Sequence, residues 1–166
     1  LMVEILRPDE GQTLYDPTCG SGGMLLEAVH NMTQRGKDPS RLTLYGQERN
    51  LNTWAICKMS LFLHDIDDAF IERGDTLLDP KHKETDTTLK RFDYVLANPP
   101  FSLKKWGHTV WSGKAGDPYN RSIYGVPPKS YGDLAFVQHM IASLSENGKC
   151  AVVVPHGVLF RSGSEG

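Results

Sequence analysis

Cysteine is scarce in this chain of 166 residues: Cys19, Cys57 and Cys150 are the only three, and they lie far apart. That spacing gives neither a paired disulfide framework nor a Cys-x-x-Cys metal site, and it points to a reducing cytoplasm. No charge of one sign dominates either, with 18 Lys and Arg against 20 Asp and Glu for a net charge of −2. A nucleic-acid partner would have to be attracted by a local patch or by another chain. No apolar run approaches the roughly 20 residues of a membrane span. The pattern of a signal peptide is missing as well. What is present, 39% hydrophobic and 23% charged residues, is the composition of a folded domain, and the length suits one core. The expectation is a single domain over residues 1–166. Both ends read as cut from something longer: residues 1–6 resemble the last turns of an amphipathic helix stopped by Pro8 and Gly11, and residues 158–163 look like the start of a new element.

Hydrophobic periodicity gives an alternation of strands and helices. A short strand at 13–15 runs into glycine-rich Cys19-Gly20-Ser21-Gly22-Gly23, and a helix over 22–35 follows with Met24, Leu25, Ala28, Val29 and Met32 at helical spacing. A second strand is predicted at 42–46. The helix after it, 52–64, is apolar nearly all round (Trp54, Ile56, Met59, Leu61, Phe62, Leu63), which predicts a well-buried helix with Trp54 and the methionines in the core. A weak strand at 69–72 and a stronger one at 92–97 flank a polar loop at 80–90. Residues 102–131 lack periodicity but hold Lys104, Lys105, Lys114, Arg121 and Lys129 against Asp117 alone, among Trp106, Trp111, Tyr119, Tyr124 and Tyr131. They could contact phosphates, cover a bound base or form a mobile solvated loop. A last helix, capped by Asp133 and stopped by Gly148, places Phe136, Val137, Met140, Ile141 and Leu144 on one face, and 150–154 reads as a fully buried strand. The class is α/β: a mostly parallel sheet with helices on both faces.

Ligands of such sheets bind beyond the carboxyl ends of the strands, and the polar residues fall there. Asp16, Glu48, Asp75, Asn98 and Pro155-His156 close or follow successive strands. In the first loop, glycines allow close approach of backbone to ligand, yet the spacing is neither GxGxxG nor GxxxxGK[ST]. A carboxylate at its mouth repels a pyrophosphate and attracts a cation, which favours S-adenosylmethionine, although Asp16-Pro17 also suits a plain turn. Asp16, Thr18, Gly20, Ser21 and Gly22 are the candidate contacts of this loop. Glu48 suits ribose hydroxyls, or is a solvated strand-end charge. Asp75 could accept from an adenine amine, or make a surface turn. Cys19 reads as a packing residue, and His64, His139 and His156, which share no metal-ligand spacing, as surface or helix-end residues.

In Asn98-Pro99-Pro100-Phe101, two prolines give a stiff backbone without amide donors. A side-chain amide beside a bare carbonyl suits an exocyclic NH2 group, and Phe101 offers a face for stacking. This tetrapeptide resembles that of amino-methyltransferases. Together with residues 16–23, Gly46-Gln47-Glu48, Gly74-Asp75-Thr76-Leu77 and residues 155–160, it is similar to the methylation subunit of type I restriction-modification systems, a family of N6-adenine DNA methyltransferases. The resemblance implies a Rossmann-like sheet of order 3-2-1-4-5, DNA as substrate, and partnership with a specificity subunit and often a restriction subunit. Asp16, Gly20, Glu48 and Asp75 would then contact the cofactor, and Asn98, Pro99, Pro100 and Phe101 would form the catalytic corner, with Asn98 also near the cofactor. Members carry an N-terminal helical domain and further strands that this segment lacks, so the resemblance implies that it does not turn over unaided. No metal is expected. The alternatives are a protein-glutamine or RNA-guanine amino-methyltransferase with the same chemistry, an NAD-dependent oxidoreductase, and a module that only binds.

Overall fold

A computed structural model describes residues 1–160. Five strands form the main sheet: β1 (Thr13–Asp16), β2 (Thr43–Glu48), β3 (Phe70–Arg73), β6 (Phe92–Ala97) and β7 (Leu144–Val152), in the order β3-β2-β1-β6-β7. All neighbours are parallel, with Leu14 opposite Leu44 on one side and Tyr94 on the other. The order matches the 3-2-1-4-5 arrangement once the strands at 83–89 are counted separately. Helices α1 (Met2–Leu6), α2 (Gly23–Gln34) and α3 (Leu51–Leu63) cover one face, while α5 (Asp133–Ala142) covers the other and α4 (His108–Trp111) is a single turn in the long segment.

The period-two alternation of strands sorts the core into two faces. Leu14, Leu44, Tyr94 and Leu96 pack with Leu25, Ala28, Met32 and Cys57. The intervening Tyr15, Val95 and Ala97 pack with Phe92 and Met140. A third cluster, Leu77, Trp106, Trp111, Ala135 and Phe136, lies over the second face.

Several expectations need correction. Helix α3 is not well buried: only Cys57 and Leu61 are, while Ile56, Met59, Phe62 and Leu63 are exposed. It packs on β2 and β3 at the end of the sheet, and a helix resting on one layer can bury only one stripe. Trp54 is half-buried and donates its indole N–H to the Ile71 carbonyl at 3.1 Å. Met32 and Met140 are core residues, and Met59 is not. The predicted loop at 80–90 contains a two-stranded antiparallel hairpin, β4 (Lys83–Thr85) and β5 (Thr88–Leu89). Its only buried residue is Leu89, so no apolar alternation announced it.

At the other edge, α5 ends at Ala142, where the Ser143 amide turns back to the His139 and Met140 carbonyls. Leu144 therefore starts β7 rather than continuing the helix face, and Ile141 points outward. Gly148 lies inside β7, where the register shifts; a Cβ there would come within 2.9 Å of the Phe92 carbonyl oxygen. Strand β7 is an edge strand and not fully buried, with Cys150 exposed. After it, His156–Phe160 forms a short 3-10 turn, and the remainder of the expected new element, 161–163, lies outside the described residues. Among the described residues no helix is long and apolar enough to cross a membrane.

Candidate active site

The carboxyl ends of β1, β2, β3 and β6 converge where the strand order reverses, between β1 and β6. There they surround a cleft of about 640 Å³, lined by Thr18, Gly20, Glu48, Asp75, Asn98 and Pro100 among others. Asp16 sits beneath this cleft rather than in it. It is fully buried; its Oδ1 accepts from the Thr18 amide at 2.9 Å, while its Oδ2 has no hydrogen-bond partner among the described residues. Burial, with the charge of Glu48 adding to it against the Thr18 amide, raises the Asp16 carboxyl to a pKa of about 7. A carboxyl held at that point with an unused buried oxygen suits a cationic ligand group and opposes a pyrophosphate.

The loop after β1 is held by main-chain requirements. Gly22 has φ +87° and precedes α2, and a Cβ on it would meet the Cys57 Sγ at 2.9 Å. Gly20 has φ +55°, and its amide donates to Glu48 Oε2 at 3.1 Å. Glu48 Oε1 accepts from the Asn50 amide at 2.6 Å, and Asn50 in turn caps α3 through the Asn52 and Thr53 amides. Glu48 is thus oriented by the main chain and keeps further lone pairs on both oxygens for a diol. Ser21 is exposed and Gly22 faces Cys57, so neither lines the cleft. Cys19 is a buried packing residue whose thiol is pushed up by its contact with Cys57, 3.9 Å between sulfurs, and by burial.

Asp75 makes both the predicted turn and a cleft wall. Its Oδ1 accepts from the Leu77 and Leu78 amides at 3.1 and 3.2 Å, and its Oδ2 pairs with exposed Arg49 at 3.2 Å. On the far wall, Asn98 is exposed and its amide makes no hydrogen bond among the described residues. Pro99 is buried, Pro100 lines the cleft, and Phe101 is 48% exposed beyond the lining. His156 is exposed and is not among the cleft lining.

Several wall residues, Gln47, Leu103 and Phe136 among them, have no site role in the sequence. Gln47 is buried, donating to the Asp79 carbonyl and accepting from the Lys81 amide, so it fixes the path after β3. Leu103 and Phe136 form the apolar side. In the sequence Phe136 falls only on a core face and Leu103 in a stretch without periodicity, so neither carries a signal. Two further readings change. Asp133 does not cap α5; Gly132 holds the cap position, and Asp133 Oδ1 accepts instead from the Ser102 amide at 2.8 Å. Arg121, whose stretch could contact phosphates, cover a base or form a solvated loop, is 2% exposed, and His139, expected at the surface or a helix end, stands in the last turn of α5 but is 1% exposed. Among the described residues no cluster of His, Cys, Asp and Glu could hold a metal ion.

A parallel sheet of this order, with carboxylates rather than a pyrophosphate loop at its switch point, is the Rossmann-like core of the S-adenosylmethionine-dependent methyltransferases. Residues 1–166, the whole chain, match the family described as N-6 DNA methylase, and the chain belongs to that family. It is 36% identical over 159 residues to the HindI type I restriction enzyme methylase subunit of Haemophilus influenzae, covering 95% of this chain and 33% of that protein. Among solved structures, the type I methyltransferase subunit from Streptococcus thermophilus superposes with a TM-score of 0.83 at 38% identity, covering 99% of this chain and 34% of the other. The EcoKI M protein gives 0.70 at 26% identity, covering 99% and 34%. The chain spans about a third of the length of the curated relatives it matches.

Proposed function

We propose that this chain is the catalytic core of a type I modification subunit, a single unit over residues 1–166 that methylates the N6 amine of adenine in DNA. The observation that carries this reading is that Asn98 and Pro100 line the same cleft as Glu48 and Asp75. An amine acceptor site and an adenosine-type site thus share one cavity. Thr18 and Gly20 of the first loop, with the unpaired Oδ2 of Asp16 beneath them, would hold the methionine end, while Ser21 and Gly22, which do not line the cleft, would only shape the loop. Glu48 would take the ribose and Asp75 the adenine. When bound, S-adenosylmethionine supplies a methyl group on a positively charged sulfur.

The amine of adenine is a poor nucleophile because its lone pair is delocalised into the ring. The Asn98 side-chain oxygen and the Pro99 carbonyl would accept hydrogen bonds from its two N–H groups and localise that pair as bonding develops, which favours the transition state over the ground state. One proton would leave the nitrogen once the methyl group is on it. Positioning in one cleft supplies much of the rest. The base has to leave the duplex, at a cost of a few kcal/mol, and stacking on half-exposed Phe101 offsets part of it. Choice of the DNA sequence would fall to a specificity subunit, with a restriction subunit as a further partner. The reducing cytoplasm is the compartment this reading requires, and the free Cys19 and Cys57 agree with it.

The test is the full-length subunit with its specificity partner, duplex DNA and methyl-labelled S-adenosylmethionine, read by nucleoside analysis. The wild type yields 6-methyladenine. Asn98→Ala lowers its formation roughly 10²–10³-fold while calorimetric cofactor binding persists. Label in RNA or protein instead, or unchanged 6-methyladenine in the variant, overturns the reading.

A further inference from the structure

Residues 102–131 are tied to the cofactor side of the cleft by one buried cation. All five N–H groups of the Arg121 guanidinium find acceptors. Nε and Nη2 bind the two oxygens of Asp117 at 2.9 and 2.6 Å. Nη1 donates to the Thr76 carbonyl at 3.1 Å and Nη2 to the Leu77 carbonyl at 2.8 Å. The last N–H meets His139 Nδ1 at 3.1 Å. Arginine only donates, so Nδ1 accepts, and the remaining ring N–H at Nε2 faces the Tyr15 hydroxyl at 3.3 Å. The Arg121 guanidinium lies over the rings of Trp111 and Tyr119, with ring centres 4.4 and 5.1 Å from its carbon. Trp111 also donates its indole N–H to the Leu77 carbonyl at 3.3 Å.

The residues gripped this way are not remote from the chemistry. Thr76 lines the cleft beside Asp75, and its hydroxyl donates to the Pro17 carbonyl of the first loop at 2.5 Å. Tyr15 immediately precedes Asp16 in β1. Arg121 therefore stands behind the turn that carries Asp75 of the cleft wall and, through His139, behind the strand that ends at Asp16 beneath the cleft.

We infer that Arg121 is a positioning residue for cofactor binding, holding the 75–77 turn through two carbonyls while taking no part in contact with DNA; this rests on the cofactor reading above. Lysine keeps the charge but presents a compact ammonium that cannot span both carbonyls, Asp117 and His139.

The experiment uses the full-length subunit with its specificity partner and compares wild type, Arg121→Lys and Trp111→Phe. Expected for Arg121→Lys are a tenfold or larger rise in both Kd and KM for S-adenosylmethionine, kcat within threefold, DNA affinity within twofold, and at least tenfold faster amide exchange across 75–79 without ligand. If Arg121→Lys does not fold, Trp111→Phe decides: loss of one donor to Leu77 gives a two- to fivefold weaker cofactor Kd and faster exchange in the same segment. Unchanged cofactor Kd and exchange, or a loss confined to DNA affinity, overturns the inference. A wild type that binds no S-adenosylmethionine would defeat the cofactor reading, while the ligand-free exchange still decides whether Arg121 holds the turn.

Discussion

Asp133 Oδ1 accepts a hydrogen bond from the Ser102 amide at 2.8 Å, so the first residue of α5 holds the residue that follows Phe101. Ser102 sits at φ +56°, a conformation that costs an L-residue roughly 1–2 kcal/mol and needs such an anchor. The Asn98–Phe101 corner is thereby fixed at both ends, by β6 before it and by α5 after it.

Removing this anchor should loosen the corner without emptying the cleft. Asp133→Ala is expected to cost about 1–3 kcal/mol of stability and to lower kcat more than it raises the KM for cofactor. Asp133→Asn, which keeps an acceptor oxygen, should recover most of both. Thermal unfolding and steady-state kinetics of the full complex check this.

On the proposed reading, Asp16 should make cofactor affinity depend on pH. Its pKa of about 7, raised chiefly by burial, means that the folded protein holds a proton which the unfolded chain, at 3.8, has released. Stability from this group is present below about pH 4 and is lost as pH rises towards 7. A cationic ligand needs the ionised form, so affinity should fall nearly tenfold per pH unit below 7, with close to one proton released on binding at pH 6. Calorimetry in buffers of differing ionisation enthalpy measures both. Asp16→Asn should abolish the pH dependence, weaken binding at pH 8 and raise Tm by a few degrees above pH 7.

Gly22 carries two separable demands. Gly22→Ala meets the strain of φ +87° and a clash with Cys57 Sγ, for a combined loss of about 2–4 kcal/mol. Adding Cys57→Ala should relieve only the clash, so the double variant should be more stable than additivity of the single losses predicts. Denaturant unfolding of all four proteins completes the cycle.

The two sides of α3 should respond differently. Leu61→Ala, at 2% exposure, should cost about 2–5 kcal/mol. Phe62→Ala, at 65%, should stay within about 0.5 kcal/mol. Denaturant unfolding of the full-length subunit distinguishes them, and equal losses would show that the exposed stripe is covered there.

Local chemistry alone determined much of this protein. Strand ends at Asp16, Glu48 and Ala97, the glycine loop, and the double-proline corner all follow from short-range rules: alternation, backbone freedom and the missing amide of proline. So does the cleft position of Glu48, Asp75 and Asn98, because parallel strands bring their carboxyl ends together. What the tertiary structure decided was burial. Ile56, Met59, Phe62 and Leu63 look like core residues until the sheet is seen to offer α3 only one layer. Arg121 could contact phosphates as far as its stretch shows, until Asp117, four residues earlier, two carbonyls from another loop and His139 saturate it. Whether a charge faces water or an interior partner depends on contacts across 44 or 45 positions of chain, and no local pattern encodes such a meeting.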